Sequence, residues 1–190
     1  MTTAVSYGSA TADPGIGPQP SNAIIIKRND STLVRYFNLE TATECYPGRL
    51  VACGTHSNDV DVCAAAEAPV GVLGYEDAPK AYRPATRATI YVADTPVPVI
   101  SGPGTIVMLY LSAGAATIVK GSPLVPAANG TVTIATAAKF ATSTAAAVLG
   151  ANASPTIAGN IPTEGNVVAR AMESATVTDI GGWIMAELLF

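Results

Sequence analysis

From Ala23 onward the chain carries short β-rich runs, several of them alternating apolar and polar positions, each run stopped by turn residues. A period of two marks half-buried β-strands. Strands are therefore expected at AIIIKR (23–28), TLVRYFNL (32–39), RLVACG (49–54), VDVCAA (60–65), PVGVLGYE (69–76), ATIYVAD (88–94), TIVMLYL (105–111), TVTIAT (131–136), NVVARAMES (166–174) and GWIMAELLF (182–190). Corners fall at Asn29-Asp30, Pro47-Gly48, Ser57-Asn58-Asp59, Gly102-Pro103-Gly104 and Asn129-Gly130. The last is the strongest, since both residues tolerate the positive φ of a tight hairpin. The run 119–136 thus reads as a barrel hairpin with Asn129-Gly130 at its corner.

Two segments break the pattern. Residues 1–23 hold Pro14, Pro18 and Pro20 with Gly8, Gly15 and Gly17, and so read as an extended N-terminal arm, with a frayed terminus as the competing reading. The span 24–190 reads as one β-rich domain with an insertion at about 135–165. Inside it, 135–153 is Ala-dense enough for a short helix of two or three turns ending near Gly150, against which a long loop competes.

An internal echo runs through the strands. Gly48-Arg49-Leu50-Val51-Ala52 leads through a turn to Val60-Asp61-Val62 and on to Val70-Gly71-Val72-Leu73-Gly74. Gly121-Ser122-Pro123-Leu124-Val125 leads likewise to Thr131-Val132-Thr133-Ile134 and then to Val167-Val168-Ala169-Arg170-Ala171. Two copies of one β-unit predict an all-β fold, a small barrel or sandwich of short antiparallel strands. Chance likeness among Val-rich strands is the competing reading.

Composition narrows the class. With 49% hydrophobic residues in a chain of 190 and a mean hydropathy of +0.36, global disorder is excluded. Only 13% of residues are charged, against about a quarter in an average soluble domain. Much of the surface is expected to be covered by partners or sister subunits. The net charge is −4, and Lys27-Arg28 is the only adjacent basic pair, so nucleic acid is not expected as a direct partner. No uncharged apolar run reaches membrane-spanning length, and MTTAVSYGSATADPG lacks the basic and apolar regions of a signal peptide. A soluble product of a cytoplasm, without membrane partners, is the expectation. Three Cys cannot all pair internally, which makes free thiols the default.

Chemistry is sparse. Cys45, Cys53, His56 and Cys63 have the composition of a Cys₃His zinc site, yet structural zinc takes close ligand pairs and only Cys53 and His56 are close. They stand as a weak metal candidate, beside the reading of small strand residues and a polar turn. Asn58-Asp59-Val60-Asp61 starts like a calcium loop but lacks its Gly and distal Glu. His56 is the only His, so any Ser-His or Cys-His pair must use it, and no Gly-x-Ser-x-Gly elbow occurs. Gly15-Ile16-Gly17 is followed by Pro18, which breaks the dinucleotide pattern. No catalytic residue, cofactor or enzymatic activity is expected.

The architecture carries the remaining signal. Pro47-Gly48-Arg49-Leu50-Val51, a polar corner, then Ala68-Pro69-Val70-Gly71-Val72-Leu73-Gly74 resembles the decoration (cement) proteins of tailed-virus capsids, of the lambda-like head type. Lys120-Gly121-Ser122-Pro123-Leu124-Val125, Ala128-Asn129-Gly130-Thr131-Val132 and Val167-Val168-Ala169-Arg170-Ala171-Met172 resemble the same unit again, so that the likeness spans roughly 23–77 and 105–174. The resemblance implies homotrimers on the outer surface of the virion, clamping neighbouring major capsid subunits after the shell expands. It also implies an arm that adds as a strand to the capsid protein. Contacts with the shell or between sister subunits are then expected at Pro14, Ile16, Pro18, Pro20, Ile24, Ile25, Ile26 and Trp183. A head fibre, spike base or receptor-binding β-domain is the alternative. Surface tyrosines among Tyr75, Tyr82, Tyr91 and Tyr110 would favour it.

Overall fold

The computed structural model describes residues 23–65, 67–114, 117–135, 167–175 and 181–190. The expected arm, except Ala23, and the Ala-rich segment, except Ala135, lie outside them. The described chain is all-β: β1 (Ile25–Lys27), β2 (Leu33–Leu39), β3 (Leu50–Cys53), β4 (Asp59–Val62), β5 (Gly71–Leu73), β6 (Pro96–Ser101), β7 (Ile106–Tyr110), β8 (Pro123–Pro126), β9 (Val132–Ile134), β10 (Ala169–Ala171) and β11 (Trp183–Leu188). One 3-10 turn, Ala128–Gly130, joins β8 to β9.

Strands β2–β6 close a barrel in the order β2-β4-β3-β5-β6, and the others form a sheet in the order β1-β7-β11-β10-β8-β9. Apart from β1, the sheet repeats the barrel. β2 pairs antiparallel with β6 as β7 does with β11. Val72 faces Ile100 across β5–β6, and Arg170 faces Glu187 across β10–β11. Leu50 faces Val72 and Pro123 faces Arg170, while Cys53 faces Val60 and Pro126 faces Val132. Even the parallel closure recurs. Leu39 opposes Val60 in the barrel, a single parallel bridge joins Leu111 to Val132 in the sheet, and the amides of Glu40 and Ser112 donate to the carbonyls of Val60 and Val132, each at 2.9 Å. The chain is therefore a tandem duplication of a five-strand unit, β2–β6 and β7–β11. The echo in the sequence is its three-strand centre, and Gly48 (φ 82) and Gly121 (φ 90) turn the chain at equivalent points.

The units share a core. Leu39, Val51, Val60, Leu73, Val97 and Val99 form the core of the first barrel. The outer faces of its walls, through Leu50, Val72 and Ile100, pack into a second cluster with Ile24, Leu109, Leu124, Ile184 and Leu188. Each such buried side chain contributes roughly 1.5–3 kcal/mol relative to exposure. Arg49 ties the joint together. Its Nη1 donates to the Asn129 carbonyl at 2.8 Å, and its guanidinium lies 4.4 Å from the ring centre of Tyr110, which packs edge-on to Trp183.

Two expectations need correction. The segment 88–94 is not a strand, and β6 follows it at Pro96–Ser101, through Pro96 and Pro98. Prolines argue against a strand because they lack the ladder donor. Here the Gly74 amide donates to the Pro98 carbonyl, but Pro98 has no N–H to return to Gly74. The Tyr91 hydroxyl supplies that bond, donating to the Gly74 carbonyl at 2.7 Å from a fully buried position. The irregular 88–94 segment thus serves to place Tyr91 at the base of the barrel. Of the run 119–136, the described residues 119–135 form a hairpin, with Asn129 (φ 58) and Gly130 (φ 64) left-handed at its corner, but it belongs to the second unit and not to the closed barrel.

Candidate functional site

The first barrel is closed at one end and open along a seam. β2 pairs with β4 only at Asn38 and Leu39, which leaves Leu33–Phe37 without a strand partner on that side among the described residues. The backbone direction there follows from the bonds at its end. Leu39 donates to Thr95 beside β6, whereas Asn38 donates to Asn58 on the β3–β4 hairpin. Because alternate residues of a strand present their backbone groups to the same side, Tyr36 and Val34 face the seam.

Below the seam lies a cavity of about 240 Å³ lined by Arg35 and Phe37 of β2, Cys53, Ser57, Asp59 and Val60 of the β3–β4 hairpin, and Val70, Val99 and Ser101. The hairpin wall is braced. Glu40 accepts from the Thr55 amide at 2.7 Å and from the Thr55 hydroxyl, and these bonds hold its carboxyl below the usual carboxylate range. His56 Nδ1 lies 3.0 Å from Asp59 Oδ2. The Arg35 guanidinium, by contrast, has no hydrogen bond or ion pair among the described residues.

The second unit gives the comparison. At the places of Arg35, Phe37 and Ser101 it has Val107, Leu109 and Leu188, all fully buried. Its seam carries β1, paired with β7 through Ile25 opposite Val107, with the Met108 amide donating to the Ile24 carbonyl at 2.8 Å. One copy of the unit is thus filled with aliphatic side chains and edged by a strand. The other keeps a cavity, an arginine and an edge that is bare among the described residues.

The residues singled out in the sequence fall elsewhere. Pro14, Ile16, Pro18 and Pro20 lie outside the described residues. Ile24 and Ile25 are buried in the shared core, and Ile26 and Trp183 are half-buried against it, so the fold itself uses these side chains. Trp183 packs under Arg87, 4.4 Å from the guanidinium carbon to the ring centre. The Cys and His of the zinc reading are not gathered. Cys45 sits inside the first barrel and donates to the Thr41 carbonyl, Cys63 sits in the other core cluster, and Cys53 is exposed. Burial pushes the thiols of Cys45 and Cys63 up to about 12. Arg35 escaped notice because only the closure of the barrel shows that it faces a cavity; an unmatched Arg within an alternating strand was its one signal.

No family model matches the sequence, and no curated protein matches it. Among solved structures the chain is similar to the head fibre gp8.5 N base in bacteriophage phi29, with a TM-score of 0.46 and 13% identity over 83% of this chain and 93% of that one. A likeness of that degree carries no argument about function.

Proposed function

We propose that the protein is a structural component of a tailed-virus virion that binds the outside of the icosahedral capsid as trimers. There it stabilises the expanded shell by clamping neighbouring major capsid subunits. One observation supports this reading above the rest. The two stretches that resemble decoration proteins are the equivalent centres, β3-β4-β5 and β8-β9-β10, of a duplicated β-unit. The repeated motif is thus a repeated structure, as the resemblance requires. Exposed apolar side chains at Leu33, Tyr36, Ile90 and Val92 suit a surface completed by neighbours. Modest affinity per copy suffices when a trimer engages several sites at once.

The receptor-binding alternative called for surface tyrosines. Of the four that would favour it, Tyr82 is exposed, Tyr75 and Tyr110 are half-buried, and Tyr91 is fully buried in the core of the first barrel.

Co-sedimentation of the protein with bare expanded shells of its own virus tests the proposal, with a version lacking residues 1–23 run alongside. Saturable binding in threes, weakened by the truncation, is the expected result. Absence of binding by both forms refutes it and turns attention to fibres and receptors.

A further inference from the structure

We propose that the bare edge of β2 is a docking rail for an extended strand of a partner chain, one that brings a carboxylate side chain over the cavity to Arg35. This goes beyond the capsid reading and does not depend on it. The duplication supplies the argument. β1 lies antiparallel on β7, where the Met108 amide donates to the Ile24 carbonyl and Ile25 stands opposite Val107. The β2 counterparts of Met108 and Val107 are Tyr36 and Arg35, as the matching β2–β6 and β7–β11 registers establish. A strand seated on β2 in the same way takes the Tyr36 N–H as its donor, and main-chain pairing of this kind needs little side-chain code.

Opposed residues in an antiparallel pair carry their side chains on the same face. Whatever stands in the place of Ile25 therefore points beside Arg35 and into the cavity. In the second unit that neighbour is Val107, and the occupant is aliphatic. In the first unit the neighbour is a guanidinium without a partner among the described residues, and a carboxylate is its complement. Leu33 at 47% and Tyr36 at 55% exposure flank the rail and would be covered by the incoming strand. An inward-pointing charge can also serve merely to keep an edge from pairing. The two roles differ in whether an acidic strand binds.

Synthetic peptides patterned on residues 22–29, with Glu, Ile or Lys in the place of Ile25, provide the probe for calorimetric titration of the full chain. The Glu peptide is expected to bind about tenfold tighter than the Lys peptide, the scale of one charge-assisted hydrogen bond. Arg35→Glu should reverse that order, Arg35→Gln should level it, and Tyr36→Pro should abolish binding by removing the donor. Amide exchange at Val34 and Tyr36, fast in the free chain, should slow on adding the Glu peptide. Equal binding of all three peptides, or none, overturns the proposal and leaves Arg35 as a guard of the edge. Protection of these amides without peptide overturns it too: lost on deleting 1–22, it assigns the rail to the chain's own N-terminal segment, and lost on dilution, to a second copy.

Discussion

Tyr91 shows how much a single hydroxyl can settle. Pro98 leaves the Gly74 carbonyl without a ladder donor, and Tyr91 repairs the defect from within the barrel. Tyr91→Phe keeps the ring and removes only the donor, so a buried carbonyl is left unsatisfied at a cost of about 1–3 kcal/mol. In thermal denaturation this should lower the midpoint by several degrees, at roughly 2–4 °C per kcal/mol for a chain of this size. An unchanged midpoint would show that water or another donor takes over. The cysteines give a second expectation at this scale. Reaction with a thiol reagent requires the thiolate, and burial holds Cys45 and Cys63 up to about 12, so both stay protonated at pH 8. Exposed Cys53 should therefore be the one residue labelled in the native protein at that pH, with the other two following only on unfolding. Peptide mapping of the alkylated chain reads this directly.

At the scale of elements, the equivalent turns Gly48 and Gly121 separate local conformation from packing. Both have positive φ, which costs an alanine about 1–2 kcal/mol. A Cβ on Gly121 would meet open space, whereas one on Gly48 would lie 2.3 Å from the Trp183 ring and 3.0 Å from the Met108 carbonyl. Gly121→Ala should thus destabilise by about 1 kcal/mol and Gly48→Ala by about 3 kcal/mol once overpacking is added, as chemical denaturation would show. The strands themselves were legible because alternation is local: nine of the ten expected runs contain one. The Asn129-Gly130 corner was legible because its left-handed pair is written in its residues. β6 was hidden by Pro96 and Pro98, and the donor that Pro98 lacks is supplied by Tyr91 on a separate segment. The seam and its cavity were hidden for a related reason, since the pairing of β2 with β4 and the lining of the lumen are contacts between distant stretches.

For the whole molecule, duplication without independence is the central feature. The sequence displayed the three-strand centre of each unit, but the flanking pairs β2–β6 and β7–β11 share no motif and emerge only from register. The outer faces of Leu50, Val72 and Ile100 are buried against the second unit, so neither half has a complete core. The chain should unfold in one transition with matching calorimetric and van 't Hoff enthalpies, and a fragment ending at residue 103 should not fold alone. Two separate transitions would show instead that each unit is self-sufficient.

The two units also differ in how β4 and β9 hand on to their successors. β4 reaches β5 through the short link 63–70, whereas β9 reaches β10 only after 135–168. The first unit completes the same topology with the short link, so the second needs nothing longer to close. The long connection is therefore a natural splice site. An affinity tag exchanged for its middle is expected to leave the denaturation midpoint unchanged, which would make this β-scaffold a carrier for cargo.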